Sequence, residues 1–123
     1  VSSVIVSLLA GQPAKCSHGR QMRDYLHVQD VADGLVGVLD SAITGAINVS
    51  SGQVTTIRDI VLGIGRQIGR PELIQLGAIP ARANDVSLVL GDNTRLVAEL
   101  GWEPRHDLES GLRHTIDWWR SQQ

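Results

Sequence analysis

Two arginines occupy positions where a guanidinium group could meet an anion. Arg23 lies between Met22 and Asp24 at the entry to an apolar stretch, and Arg82 lies in a segment rich in proline, alanine and asparagine. A guanidinium group keeps its charge, and its planar fork of donors matches phosphate and carboxylate oxygens. The residues alone leave two interpretations open: an anion site, or ordinary solvated or salt-bridged arginines.

A second group of ionisable residues surrounds an expected strand-to-helix junction. Asp24, Tyr25 and His27 are followed closely by Asp30 and Asp33. This grouping is compatible with acid–base catalysis. It is also compatible with helix capping and local hydrogen bonding, which the positions beside a helix start favour.

The histidines do not show the spacing of a metal site. The chain has four of them: His18, His27, His106 and His114. None has a histidine neighbour four residues away on one helix face, and Cys16 with His18 is one pair without a second pair. The spacing therefore predicts no metal site.

Glycines 63, 65 and 69 superficially resemble the pattern of a dinucleotide site. Those glycines act only at a strand-to-helix turn, where the backbone approaches a pyrophosphate at a helix N-terminus. Here they lie inside and at the end of a helix that begins at Thr56. The sequence therefore predicts that they serve packing and bind no cofactor.

Composition narrows the classes of function further. The chain has 123 residues with 42% hydrophobic content, which suits one domain over residues 1–123. Eleven Lys and Arg are scattered among thirteen Asp and Glu, for a net charge of −2, so no basic stripe suggests nucleic acid as a partner. No apolar run reaches the roughly 18 residues of a membrane span, and the single cysteine favours a reducing, cytoplasmic compartment.

The elements that must position these residues follow from apolar spacing. The pattern predicts an α+β fold with four or five helices and a few short strands. Predicted helices cover about Val4–Leu9, Asp30–Ala42 and Thr56–Gly69, with a short one ending at Leu100 and a last one starting after Asp107. Asp30, Thr56, Asp92 and Asp107 are their predicted caps. Extended segments are expected at Ala14–Val28, as a hairpin-like unit, and at Ile47–Val49, Ile74–Leu76 and Ser87–Leu90.

The segment Arg23–Val31, RDYLHVQDV, resembles the hallmark of the extended short-chain dehydrogenase/reductase family of NAD(P)-dependent nucleotide-sugar epimerases and dehydratases. The resemblance continues in register through LLAGQP, GAINVSSGQVTTIRDI, ARANDVSLVLGDNTRLVAELGWEPR and LESGLRHTIDWWR. It covers essentially the whole chain and is similar to the C-terminal third of that family. The chain also opens on Val1 without a methionine, which agrees with its being part of a longer protein or a processed product.

The resemblance implies a substrate-binding region without a complete Rossmann domain. It implies that Arg23 and Arg82 bind the pyrophosphate of a nucleotide sugar, with Asp85 holding the loop and Asp24 and Asn48 in supporting roles. The family's cofactor loop and Tyr-x-x-x-Lys pair are missing, since Tyr25 and Lys15 are the sole tyrosine and lysine. No cofactor is therefore expected in this chain, and NAD or NADP is implied only for the parent enzyme.

Two functions remain open. The first is the substrate-binding portion of an epimerase, dehydratase or reductase that is inactive alone; the second is a stand-alone, non-catalytic fragment that self-associates and keeps a vestigial site. The expected partners are a nucleotide sugar and, on the surface that a Rossmann domain would cover, either that missing domain or a second copy of this chain. A homo-oligomer is expected through Val31, Leu35, Val38 and Ile47. The nucleobase, the sugar and the reaction type stay undetermined.

Overall fold

The computed structural model describes residues 1–122. Five α-helices are present: α1 (Ser2–Leu9), α2 (Val28–Leu39), α3 (Ile57–Ile68), α4 (Thr94–Leu100) and α5 (Leu108–Ser121). Five short strands accompany them: β1 (Ala14–Lys15), β2 (Met22–Asp24), β3 (Val54–Thr56), β4 (Ile74–Gln75) and β5 (Leu88–Val89). The predicted α+β class with few short strands is confirmed.

Local sequence explains the boundaries of α3 and α5. The Thr56 hydroxyl accepts a 3.0 Å hydrogen bond from the Asp59 N–H, and the Asp107 carboxylate accepts one of 2.8 Å from the Ser110 N–H. Each bond satisfies an N–H that a helix start leaves without a partner. Gly69 ends α3 at φ 79°, a conformation that favours glycine.

The start of α2 differs from the prediction. His27 is its N-cap, and the His27 ring accepts a 3.2 Å bond from the Gln29 N–H. Asp30 is instead buried in the first turn, 1% exposed, where it binds a distant segment. The predicted cap at Asp92 was also off by one residue: Asn93 is the N-cap of α4, although Asp92 still accepts a bond from the Thr94 N–H.

Two small sheets replace the predicted hairpin-like unit at 14–28. In the first sheet β1 pairs with β4, and in the second β2 lies between antiparallel β3 and parallel β5. β1 and β2 do not pair with each other because each finds its partner far along the chain. The hairpin interpretation was wrong.

The predicted strand Ile47–Val49 is not a strand either. Both edges of β2 are already occupied by β3 and β5, and this segment pairs with neither of the outer strands. Two hydrogen bonds hold the segment instead. The Arg95 guanidinium on α4 donates to the Ala46 carbonyl at 2.6 Å, and the Asn48 side-chain amide donates to the carbonyl of Asp92, just before α4, at 3.1 Å.

The apolar core lies between α1, α3 and α5. Its most buried members are Ile5, Leu8, Ile60, Ile64 and Ile116, all at 1% exposure or less. α2 contributes only Asp30 and Gly34 as buried residues. Of the helices in residues 1–122, the longest has 14 residues, and none is long and apolar enough to cross a bilayer.

Candidate functional site

Arg23 lies in the middle of the three-stranded sheet, opposite Thr55 on β3 and Val89 on β5. Its guanidinium donates to the Met22 carbonyl at 2.8 Å and to the Asp85 carboxylate at 2.7 Å. The Arg23 side chain is 20% exposed and that of Asp85 28% exposed. The ion pair therefore holds a largely desolvated cation in one orientation at the sheet surface.

Asp85 also connects the pair to Gln21 and to the loop that carries Arg82. The Gln21 amide donates to the second Asp85 oxygen at 2.7 Å, and the Asp85 N–H donates to the Arg82 carbonyl at 3.1 Å. Gln21 is 6% exposed, and its side-chain oxygen has no hydrogen-bond partner within residues 1–122. Asp85 thus connects strand β2 to the loop that carries Arg82, and we call these contacts of Asp85 the joint.

A cavity of about 240 Å³, called here the arginine cavity, opens beside this joint. Its lining includes Arg20, Gln21, Arg82 and Asp85. The Arg82 side chain is exposed. With the Arg23 charge balanced by Asp85, Arg20 and Arg82 leave the surroundings of the cavity positive, an environment that favours an anion.

Asp24 and Asn48 form hydrogen bonds with residues other than Arg23 and Asp85. One Asp24 oxygen accepts bonds from the Ser51 N–H at 2.9 Å and the Ser51 hydroxyl at 2.6 Å. The other accepts from the Gly52 N–H at 3.0 Å and the Gly91 N–H at 3.3 Å. Gly52 adopts φ 70°, so the turn that delivers these donors favours a glycine. Asp24 therefore ties the turn at Ser51 and Gly52 to strand β2. Asn48 ties the segment before this turn to Asp92, just before α4.

Glycines 63, 65 and 69 do not form a dinucleotide-binding turn. Gly63 and Gly65 are buried inside α3, and a methyl group at Gly65 would meet the Ile74 side chain and lie 3.2 Å from the Pro71 Cα. Close packing bears out the packing interpretation at Gly63 and Gly65, whereas Gly69 has no close neighbour and ends α3 as its C-cap. Tyr25 and Lys15 lie on separate segments outside any helix.

Spacing alone missed a cluster of three histidines. His27 at the start of α2, His106 before α5 and His114 on α5 have ring centroids 4.2, 4.9 and 5.7 Å apart. Their nearest ligating nitrogens all lie within 4.8 Å of one another. The prediction of no metal site rested on neighbours along the chain, whereas these rings come from three different segments. No short-range signal could have found them.

Burial and charge shift the ionisation of this cluster. Burial lowers the pKa of His27, and the neighbouring His106 and His114 lower it further. Burial of Asp30 opposes its ionisation, but bonds from the Arg105 N–H and from the ring and N–H of His106 outweigh it, so the pKa of Asp30 lies below its usual value. Asp30 is therefore a carboxylate, and it fixes the His106 ring.

Comparison with known proteins identifies the family of this chain. The family described as GDP-mannose 4,6 dehydratase matches residues 1–115. The class of protein is thus that of the NAD-dependent epimerases and dehydratases of the extended short-chain dehydrogenase/reductase type. The chain belongs to the GDP-mannose 4,6 dehydratase family within this class.

Individual relatives agree with this assignment. A UDP-glucose 4-epimerase from Mycolicibacterium smegmatis is 33% identical over 117 residues, which are 94% of this chain and 37% of that protein. A dTDP-glucose 4,6-dehydratase from Xanthomonas campestris is 30% identical over 130 residues, which are 98% of this chain and 37% of that protein.

A solved structure also matches in fold. The UDP-N-acetylglucosamine 4-epimerase from Methanobrevibacter ruminantium, in complex with UDP-N-acetylmuramic acid, superposes with a TM-score of 0.88 at 26% identity. The match covers 98% of this chain and 39% of that one. The chain therefore spans well under half the length of these relatives and corresponds to a partial region of them.

Proposed function

We propose that this chain is the substrate-binding C-terminal portion of an NAD(P)-dependent nucleotide-sugar epimerase, dehydratase or reductase. Arg23 and Arg82 bind the pyrophosphate of the nucleotide sugar. The cofactor, NAD or NADP, belongs to a part of the parent enzyme that residues 1–123 do not include. The observation that carries this proposal is the joint at Asp85, which bonds the Arg23 guanidinium and the backbone of Arg82.

The joint supports a diphosphate site through preorganisation. The 2.7 Å bond to Asp85 keeps the Arg23 side chain in one rotamer, so little side-chain freedom is left to lose when an anion binds. Arg82 is exposed and contributes a second fork from the loop. Two guanidinium groups suit a diphosphate because each one pairs with the oxygens of one phosphate.

The surroundings support the same class of ligand. Arg20 adds positive charge to the arginine cavity, and the buried Gln21 oxygen, free of protein partners in residues 1–122, offers an acceptor for a hydroxyl or ring N–H. Relatives named as acting on UDP-glucose and dTDP-glucose favour a nucleotide sugar over a simple phosphate ester. The base and the sugar are left open.

Titration of the chain with UDP-glucose by calorimetry tests the site. Replacing Arg23 or Arg82 by Ala removes hydrogen bonds to a charged group, worth about 1.5–3 kcal/mol, so affinity should fall by roughly tenfold to a hundredfold in each variant. Arg113→Ala is the matched control, because Arg113 is an exposed helical arginine paired with Glu109. Unchanged affinity in both site variants, or no binding by the unmodified chain, would overturn the pyrophosphate assignment.

The chain by itself should transfer no hydride. Its single tyrosine and single lysine cannot form the family's Tyr-x-x-x-Lys pair, and its glycine pattern lies within a helix. Chromatography of the sugar nucleotide, with UDP-glucose and NAD supplied, should show no conversion to an epimer or a dehydrated product above a buffer control, because these reactions return the hydride and leave no net NADH. Turnover by a sample free of contaminating enzyme would contradict the proposal that this portion is inactive alone.

A second proposal, a stand-alone fragment that self-associates and keeps a vestigial site, is favoured by the surface of α2. Four apolar residues there are more than half exposed: Val28, Leu35, Val36 and Leu39. We name this surface the α2 apolar face. Val31, Val38 and Ile47, also expected at an interface, are only partly exposed. Sedimentation velocity with and without UDP-glucose separates the proposals: a dimer without ligand binding favours the second.

A further inference from the structure

The three-histidine cluster is not used by the proposed substrate site. His27 and His106 are partly buried, His114 is exposed, and Asp30 beneath them is almost fully buried. The fourth histidine, His18, lies elsewhere and lines the arginine cavity. Imidazole is a preferred ligand of first-row divalent metals such as Zn²⁺, so a convergence of three rings calls for a chemical explanation.

The distances suit coordination of one small ion. Zn²⁺ binds histidine nitrogens at about 2.0–2.1 Å, which in a tetrahedral site places pairs of ligating nitrogens roughly 3.3–3.4 Å apart. His27 Nε2 and His114 Nδ1 already lie 3.2 Å apart. The three nitrogens lie within 4.8 Å of one another, so some movement of the rings is needed to bring every pair to this separation.

Asp30 prepares His106 for this role. Both Asp30 oxygens lie 3.2 Å from His106 Nδ1, and they also accept bonds from the backbone N–H groups of Arg105 and His106. A carboxylate at Nδ1 keeps the proton on that nitrogen and leaves the Nε2 lone pair free. Carboxylate–histidine pairs of this kind orient the ligands of zinc sites and raise their basicity.

His27 couples the cluster to the start of α2. Its Nδ1 accepts the Gln29 N–H, so in the neutral ring the proton lies on Nε2 and is donated to His114 Nδ1. Ligation through Nε2 requires that proton to move to Nδ1, which ends the bond from Gln29. Metal binding therefore exchanges a helix-cap bond for a coordination bond, without a net change in the protons on His27.

The cluster is accessible from two sides. His27 and His114 line a cavity of about 400 Å³ together with Trp118 and Trp119. His27 also lines, with His106, a smaller cavity of about 100 Å³. Three protein ligands leave one tetrahedral position for water or another small ligand, and these cavities supply the room for it.

We propose that His27, His106 and His114 form a binding site for one divalent transition-metal ion of the zinc class, with Asp30 as the positioning residue for His106. Borderline-soft ions that prefer imidazole, namely Zn²⁺, Co²⁺, Ni²⁺ and Cu²⁺, fit this ligand set, whereas Mg²⁺ and Ca²⁺ prefer oxygen ligands and do not.

The test is titration of the full chain, prepared with a tag free of histidine, with Zn²⁺ and Co²⁺. We expect one ion per chain by calorimetry, visible absorption bands of nitrogen-ligated Co²⁺, and quenching of tryptophan fluorescence by Cu²⁺ beside Trp118. Mg²⁺ should produce none of these signals. Because Val1 lines the smaller cavity, an N-terminally acetylated sample is used to exclude ligation by its amine.

Substitutions decide whether the three rings are the ligands. His114→Ala should lower Zn²⁺ affinity at least tenfold without loss of fold, since His114 is exposed on α5. Asp30→Asn should lower it about tenfold to a hundredfold, as for other partners of ligating histidines. His18→Ala is the matched control and should bind as the unmodified chain does.

Three results would overturn the proposal. These are the absence of stoichiometric Zn²⁺ binding, unchanged affinity in the folded His114→Ala variant, and loss of binding in His18→Ala. Circular dichroism verifies the fold of every variant. Because UDP-glucose titrations of the unmodified chain and of His114→Ala report on the arginine cavity, failure of this proposal is distinguishable from failure of the proposed function.

Discussion

Two regions of the molecule are held together differently. Apolar side chains fill the space between α1, α3 and α5. Around the three-stranded sheet and α2, carboxylates connect distant segments. Ile64 belongs to the apolar core and is 0% exposed. Asp24 and Asp30 instead accept hydrogen bonds from backbone N–H groups of distant segments. The first region depends on packing and the second on directed hydrogen bonds.

This difference explains where a ligand site can exist. The sheet region holds its loops through a few charged contacts, and the arginine cavity opens beside one of them. The sheet region also keeps apolar residues exposed, with Leu39 on α2 at 82%. Its stability therefore rests on few interactions, each of which can be tested separately.

The largest effect is expected in the packed region. Ile64→Ala removes a fully buried side chain and leaves a cavity, which should lower the free energy of unfolding by about 2–5 kcal/mol. Leu35→Ala on the α2 apolar face is the control, and about 0.5 kcal/mol or less is expected there. Urea denaturation measures both; similar losses in the two variants would erase the distinction between the regions.

The next effect is expected at the Asp24 joint. Asp24→Asn places an amide against N–H donors, so the free energy of unfolding should fall by about 1.5–3 kcal/mol. Asp117→Asn changes an exposed helical aspartate paired with Arg120 and should shift it by no more than about 0.5 kcal/mol. Thermal unfolding reports both; if Asp24→Asn were as stable as the control, directed hydrogen bonds would not be holding the sheet region.

A smaller effect concerns the thiol in the packed region. Burial raises the pKa of Cys16 above its ordinary value of 9.0. The thiol therefore ionises first in the unfolded chain, so its contribution to stability is complete below pH 9.0 and is lost as the pH rises through the higher folded pKa. Stability curves at rising pH should show this slope in the unmodified chain and less of it in Cys16→Ala; equal slopes would count against a buried thiol.

The smallest effect on unfolding is expected on the α2 apolar face. Leu39→Ser should change the free energy of unfolding by about 0.5 kcal/mol or less, because the side chain is already in solvent. It should, however, reduce self-association and the binding of an apolar dye. Light scattering at high protein concentration checks this, with Val97→Ser on α4 as control; unaltered association would remove α2 from the interface.

Local patterns in the sequence predicted the helices well. α3 and α5 follow an apolar repeat and begin directly after Thr56 and Asp107, whose side chains cap free N–H groups of the first turn. Such signals act within a few residues, so one sequence suffices to find them. The strands were predicted less well because β1 and β2 are two and three residues long and pair with partners that no local pattern specifies.

The sequence by itself therefore determined the helices, the α+β class, and the arginines and acids available to a site. The tertiary structure alone decided which of these residues meet. Arg23 bonds Asp85 across 62 positions, Asp30 bonds His106 across 76, and His27 meets His114 across 87. The reason is physical: capping and helical periodicity are interactions between near neighbours, whereas ion pairs and ligand clusters form between groups that only the packing of the whole chain brings together.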